Sequence, residues 1–475
     1  MMHLQQYSQL SALEMANLVR RKEVSPVELV QAAIEAIRAT DEHLNAYSAV
    51  FADTALARAT ELEHEARQGN MQGSLHGVPF AVKDLFNVQG TRTQRGSHLY
   101  ADFVSVETAP AVERMLAAGA ILVGKNTTAE LGWKASSQSP LYGVTRNPWD
   151  PARTAGGSSS GSAVAVAAGT VPISLGSDGG GSLRIPAAFC GVFSLKAQLG
   201  RIPTHPVSST EHLSHAGPMT NSVADYVLAL DVLAGPDARD PNSLPRSGIA
   251  TLEQLGRRDS PIRCAYAPAL FGKSVAPSVD RCIRDAVGRM KRELPIEVIE
   301  TIPDWSDPIE IFEALWTARG SIYRQLDDDA RSKLDPGLRR MVEHSSAISV
   351  ADHLRTLQKR ADFCRRVAEW FEDFDVLLLP TVPIEPFAAQ DDGPPDMDPD
   401  PPVPWARWTP FTYPFNLTGQ PAASIPCGWS DSGLPVGLQV VARRFDELTV
   451  LQLCSMWERI FDWRSKRPSI FAGAH

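Results

Sequence analysis

Gly156-Gly157-Ser158-Ser159-Ser160-Gly161, followed by the run Ser162 to Gly169 and then by Asp178-Gly179-Gly180-Gly181-Ser182-Leu183-Arg184-Ile185-Pro186, is the stretch that decides the fold. Two serine-bearing glycine turns are bridged by a segment whose side chains are all small or Val. A helix of such residues can approach neighbouring backbone closely, so this one is expected to be buried and to hold both turns at a fixed separation. Glycines beside a serine leave backbone N–H groups uncovered, and several such donors aimed at one point stabilise the oxyanion of acyl transfer. The stretch reads as machinery for attack on a carbonyl.

A serine hydroxyl is a poor nucleophile unless a base removes its proton as it attacks. No histidine lies between Gly156 and Pro186, so a lysine has to be considered. At its ordinary pKa of about 10.4 a lysine is protonated at neutral pH, and it serves as a base only where burial disfavours its charged form. Lys83 ends the apolar run Val78 to Val82, whose content and length suit a buried strand.

With Tyr142-Gly143-Val144-Thr145-Arg146-Asn147-Pro148-Trp149-Asp150 before it and Phe189-Cys190-Gly191-Val192 after it, the serine-glycine stretch resembles the amidase signature family. Gly77-Val78-Pro79-Phe80-Ala81-Val82-Lys83-Asp84 is similar to the family's lysine strand. Further likeness lies in His215 to Thr220, Asp375 to Thr381, Asn416 to Pro421 and Gly433 to Gln439, whereas residues from about 240 to 370 match little. The resemblance implies a Ser–cisSer–Lys set: Ser182 as nucleophile, Ser158 as the serine after a cis peptide bond, and Lys83 as base. It also implies an oxyanion hole of the Gly179, Gly180, Gly181 and Ser182 amides, and a hydrogen bond from Ser159 to the Lys83 amine. Asp178 and Arg184 flank the nucleophile, either as a brace for its turn or as an ordinary ion pair. Trp133, Ile185, Phe411 and Tyr413 are candidates for the substrate pocket, weighed against a plain core role.

Departures from the family pattern bear on substrate. Gly179 stands where many members carry Thr or a larger residue, and Leu183-Arg184-Ile185-Pro186 differs from the Ser-Ile-Arg-Gln-Pro usual in amidotransferase subunits. Ile185 puts a hydrocarbon where those subunits have an amide, which favours an apolar acyl or aryl group. The expected activity is that of a free-standing amidase cleaving a small, apolar or aryl carboxamide through a Ser182 acyl-enzyme. The rival readings are the glutamine-amidase subunit of an aminoacyl-tRNA amidotransferase and a non-catalytic binding module.

Other motifs fail on context. Gly157 to Gly161 fits the G-x-S-x-G elbow of an α/β-hydrolase esterase, with Ser159 as nucleophile, but follows a Pro- and charge-bearing loop rather than a strand. Gly119 to Asn126 misses a P-loop because Asn126 replaces the hydroxyl that would bind Mg²⁺. The six cysteines are scattered without a C-x-x-C, and His212 and His215 sit on a Ser/Thr-rich loop where a solvent-facing or capping role is expected. No metal and no cofactor is expected, and Lys196 reads as structural.

The chain has 475 residues, 43% hydrophobic and 21% charged, with a net charge of −9 and no basic cluster, which argues against nucleic acid or anionic membrane as partner. No run approaches the ~18 apolar residues of a spanning helix, and no signal peptide or disulfide framework is evident, so a cytoplasmic setting is expected. Oligomeric state is left open, with a homodimer as the simplest assembly. Asp391 to Pro404, rich in Pro and Asp, reads as a surface loop or lid within one domain spanning 1–475.

Ser25-Pro26-Val27-Glu28 is a capping box opening a helix. Val78 to Val82, Ile121 to Val123, Val171 to Leu175, Arg263 to Tyr266, Val376 to Leu379 and Val436 to Val441 read as strands, with helices over Pro110 to Ala118 and Val223 to Ala234. The order predicts an α/β fold, and the resemblance implies a single large domain built on a mixed sheet of about eleven strands with helices on both faces.

Overall fold

The run that ends at Lys83 is a strand in which every residue is buried, and it lies near one end of a sheet that organises the molecule. The computed structural model describes residues 2–248, 250–256, 258 and 260–469. Its strands are β1 (Tyr47–Val50), β2 (Pro79–Lys83), β3 (Ile121–Asn126), β4 (Gln138–Ser139), β5 (Gly143–Val144), β6 (Ile173–Asp178), β7 (Phe193–Lys196), β8 (His215–Thr220), β9 (Ile262–Tyr266), β10 (Ile296–Glu300), β11 (Val376–Pro380), β12 (Ala422–Trp429) and β13 (Pro435–Ala442). β4 and β5 form a separate hairpin; the other 11 make one sheet in the order β1-β3-β2-β6-β8-β7-β12-β13-β11-β9-β10. β2 is parallel to β3 and β6, and β11 and β10 are parallel to β9, while β6, β8, β7, β12 and β13 pair antiparallel in succession. The sheet is mixed, as expected.

Side chains alternate between two cores, one on each face, because successive residues of a strand point to opposite sides. Val376 and Leu378 of β11 join the core under Pro26–Leu44, Pro277–Glu293 and Glu447–Ile460. Leu377 and Leu379 join the one under Ile309–Ala318, Pro336–His344 and Val350–Trp370. The helix at the capping box forms as read: Ser25 Oγ accepts from the Glu28 amide and the Glu28 carboxylate accepts from the Ser25 amide, with Pro26 in the first turn.

The small-residue segment is a helix, Ser160–Ala167, and each of its residues is buried. It packs on β2, β3, β6 and β8. At Gly161 a Cβ would collide with the Ala46 carbonyl and stand 2.6 Å from the Thr127 amide, so the close approach requires glycine. Within 391–404, residues 395, 396 and 398–400 are exposed, while Gly393, Val403 and Pro404 are buried. This loop is pinned where Asp392 accepts hydrogen bonds from Lys134 Nζ (2.5 Å), Ser136 Oγ (3.0 Å) and Gln138 Nε2 (2.9 Å). Among the described residues no helix is long and apolar enough to cross a membrane.

Candidate active site

β2 delivers Lys83, and the start of the small-residue helix delivers Ser158 and Ser159 to the same point. Lys83 Nζ lies 2.7 Å from Ser158 Oγ, 3.0 Å from Ser159 Oγ and 2.9 Å from Ser177 Oγ, with the lysine wholly buried. Burial holds its pKa well below the ordinary lysine value; the Asp178 carboxylate partly opposes this and the Arg319 charge adds to it. Ser177, next to the end of β6, is a site residue that no sequence motif marks. Ser159 Oγ donates to the Ser177 carbonyl (3.0 Å) and accepts from the Ser177 amide (3.2 Å), which ties the first glycine turn to β6. The Gly157–Ser158 peptide bond is cis.

The second turn follows β6 directly. Asp178 and Arg184 are both fully buried and form a two-point ion pair, Nε to Oδ2 and Nη2 to Oδ1, each 3.0 Å. Arg184 also donates to the Thr412 carbonyl (2.8 Å), Gln439 Oε1 (2.8 Å) and Asn416 Oδ1 (2.6 Å). Asp178 Oδ1 accepts from the Gly181 amide (2.7 Å) and Asn416 Nδ2 (2.8 Å), and Oδ2 from the Leu183 amide (3.2 Å). Burial by itself would raise the Asp178 pKa; the Arg184 charge and these hydrogen bonds outweigh it and hold the carboxyl far below the usual range. The pair is therefore a brace for the turn.

That brace corrects one expectation. The Gly181 amide is committed to Asp178 and is not free to meet an oxyanion. Among the described residues the amides of Gly179, Gly180 and Ser182 have no hydrogen-bond partner, and neither has the Ser182 hydroxyl. Aromatic rings press on the glycines from behind. A Cβ at Gly179 would stand 2.8 Å from Trp316 Cζ3, and one at Gly180 would stand 2.6 Å from Trp405 Cη2 and 2.7 Å from Phe312 Cζ. Trp316 thus gives the physical reason for glycine at position 179. Gly181 has φ of +133°, in the region that favours glycine.

Ser158, Ser177, Ser182 and Gly179 open onto one cavity, walled on its apolar side by Leu85, Phe86, Leu131 and Trp316. The four residues expected from sequence to form this pocket do not line it. Ile185 is buried behind the second glycine turn against Gly156 and Gly181, and Trp133 packs over Gly337 with its carbonyl accepting from Trp316 Nε1 (3.1 Å). Phe411 is core and its carbonyl accepts from Gln439 Nε2 (2.7 Å), while Tyr413 stacks on Phe312 and donates to Asp307 Oδ1 (2.6 Å). Trp316 and Arg319 come instead from the divergent middle, docked on the turn Glu130–Gly132 through Arg319 Nη2, which donates to the Leu131 carbonyl (2.8 Å).

His215 is likewise corrected from a solvent-facing or capping residue to a buried one that lines the cavity at the start of β8, paired with Asp178. Its Nδ1 lies 2.8 Å from the Leu213 carbonyl and its Nε2 3.2 Å from Lys196 Nζ; burial, and then the Lys196 charge, push its pKa down. Lys196 is buried and donates to the Gln420 carbonyl, in keeping with a structural role. Among the described residues no group of three or more His, Cys, Asp or Glu side chains could hold a metal.

Comparison with known proteins agrees with the geometry. A family model described as Amidase matches residues 28–451. An acylamidase of Rhodococcus erythropolis is 34% identical over 468 residues, 97% of each chain. A glutamyl-tRNA(Gln) amidotransferase subunit from Chloroflexus aurantiacus is 33% identical over 473 residues, 94% of this chain and 96% of the relative. The crystal structure of a bacterial aryl acylamidase of the amidase signature family superposes with a TM-score of 0.88 at 28% identity, covering 98% of each chain. Sequence and fold together place the chain in the amidase signature family, as a hydrolase acting on amide bonds.

Proposed function

We propose that this chain is a free-standing amidase that hydrolyses a small carboxamide with an apolar or aryl body, using Ser182 as nucleophile and Ser158 and Lys83 as the proton relay. The observation that carries the reading is the buried Lys83 amine 2.7 Å from Ser158 Oγ, a serine that lines the same cavity as Ser182. Ser159 sends its own proton to the Ser177 carbonyl, so it accepts from the lysine. A neutral amine has two N–H bonds, which Ser159 and Ser177 receive. Its lone pair is then left for the Ser158 proton.

Ser182 attacks the amide carbon as its proton passes to Ser158 and the Ser158 proton passes to Lys83. The tetrahedral oxyanion is met by the unpaired amides of Gly179, Gly180 and Ser182, while Gly181 keeps the turn in shape through Asp178. The relay then runs back to protonate the departing amine, and water releases the acyl group by the same path.

Intact mass after a fluorophosphonate or sulfonyl fluoride tests the nucleophile. One adduct that maps to Ser182 is expected; no adduct, or one on another residue, favours a binding module. Hydrolysis of a panel of aryl and alkyl amides by the pure chain tests independence from a partner. Activity only on glutamine, and only with a second protein added, would favour the amidotransferase role suggested by the Chloroflexus relative.

A further inference from the structure

Four residues that can carry charge line the cavity: Asp178, His205, His215 and Arg319. Three are accounted for. Asp178 is matched by Arg184, His205 Nε2 lies 2.8 Å from Glu107 Oε1, and His215 is kept neutral by burial beside Lys196. Arg319 differs. Among the described residues it has no carboxylate within ion-pair distance; it makes one hydrogen bond, from Nη2 to the Leu131 carbonyl, and its guanidinium lies 4.6 Å from the centre of the Trp316 ring. Its Nε is buried without a partner, and its Nη1, which is not enclosed, has no protein partner among the described residues.

A guanidinium has five N–H donors and cannot shed its charge at neutral pH. Leaving donors unmet in a wall of Leu131, Trp316 and Phe86 is unfavourable, and a purely apolar ligand over them would make it worse. An acceptor that brings negative charge reverses the sign, and the planar fork suits a carboxylate. A phosphate would call for more than this single unpaired cation. We propose that the amide cleaved here carries a carboxylate, as in an N-acyl amino acid or the monoamide of a dicarboxylic acid, and that Arg319 receives it. Trp316 and Leu131 take the hydrocarbon or aryl part. The inference rests on the cavity being the amidase site and deepens that reading by naming a substrate class.

The test uses Ser182→Ala protein, which binds without turnover, and calorimetric titration with the monoanilides of succinate, glutarate and phthalate, each against its methyl ester. At least one free carboxylate should bind about tenfold or more tighter than its ester. The preference should vanish in Ser182→Ala/Arg319→Met and return in part with Arg319→Lys. Equal binding of every acid and ester, no binding of any acid, or a preference that survives Arg319→Met overturns the proposal. Should the methionine variant fail to fold by circular dichroism, the acid-ester comparison in Ser182→Ala and the lysine variant still decide. Turnover of the same compounds by unmodified protein separates the two readings. Hydrolysis without acid preference removes the role of Arg319 and leaves the amidase; acid-selective binding without hydrolysis does the reverse.

Discussion

Asp178→Asn is isosteric and removes one charge from the centre of the turn that carries Ser182. Asp178 Oδ1 accepts from the Gly181 amide, Arg184 Nη2 and Asn416 Nδ2, and Oδ2 from the Leu183 amide and Arg184 Nε. An amide side chain keeps one acceptor oxygen and turns an NH₂ toward donors on the other side. Arg184, fully buried, is left with the neutral acceptors of Thr412, Gln439 and Asn416. Breaking a buried pair from one side costs about 3–5 kcal/mol, a large part of a total stability of roughly 5–15 kcal/mol. Urea denaturation of Asp178→Asn, Arg184→Met and the double variant measures it. Each single change should lose that much, and the double variant should lose clearly less than the sum. The turn also loses the anchor of its Gly181 amide, and a displacement of about 1 Å at the nucleophile lowers turnover by about 100-fold. Because the folded carboxyl titrates below its unfolded value, its contribution is full above about pH 3.9 and fades as pH falls through the lower folded pKa. The stability gap between Asp178→Asn and the unmodified protein should therefore close only in acid below about pH 4. A single-variant loss under about 1 kcal/mol, or strict additivity, would refute the reasoning.

Lys83→Met should lower kcat by about 10²–10⁴-fold. Burial holds the lysine below its ordinary value and in the proposed relay its neutral form is the base, so activity of the unmodified protein should rise with pH through that depressed pKa and level off well below 10.5, while the variant's residual activity lacks this limb. Ser177→Ala removes one of the three hydroxyls around the amine, and a loss of about 2–10-fold in kcat, far smaller than for Ser158→Ala, is expected from steady-state kinetics. Gly180→Ala drives a methyl into Trp405 and Phe312, which should reduce stability by about 1–3 kcal/mol and lower kcat more than it raises KM.

Elements with a strong local signal were legible in the sequence. The helix read over Pro110 to Ala118 is Pro110–Ala117, and the strands read from Arg263 and Val376 are Ile262–Tyr266 and Val376–Pro380. The strand read over Val171 to Leu175 begins later and runs to Asp178, because Gly176 and Ser177 lack the apolar pattern yet are held by pairing with β8. That shift hid Ser177, a small polar residue with no motif around it. The pocket was illegible for a different reason. Ile185 is near Ser182 in sequence, but the helix Arg184–Cys190 turns it behind the second glycine turn, and Trp133, Phe411 and Tyr413 are likewise core. Part of the cavity wall, Trp316 and Arg319, comes from a segment with no matched motif and is brought near only by the tertiary fold. Position along the chain reports neighbours, and the side a residue presents depends on packing that residue order does not show.

Arg184 reaches Thr412, Asn416 and Gln439, all on the far side of the divergent middle. The three proposed reacting side chains have left the ribosome's catalytic centre once residue 182 is made, yet the clamp on the turn that carries Ser182 closes only when β13 has been translated and has joined the sheet. A nascent chain thus carries every proposed reactive group for hundreds of residues before the partners of Arg184 in Thr412, Asn416 and Gln439 exist.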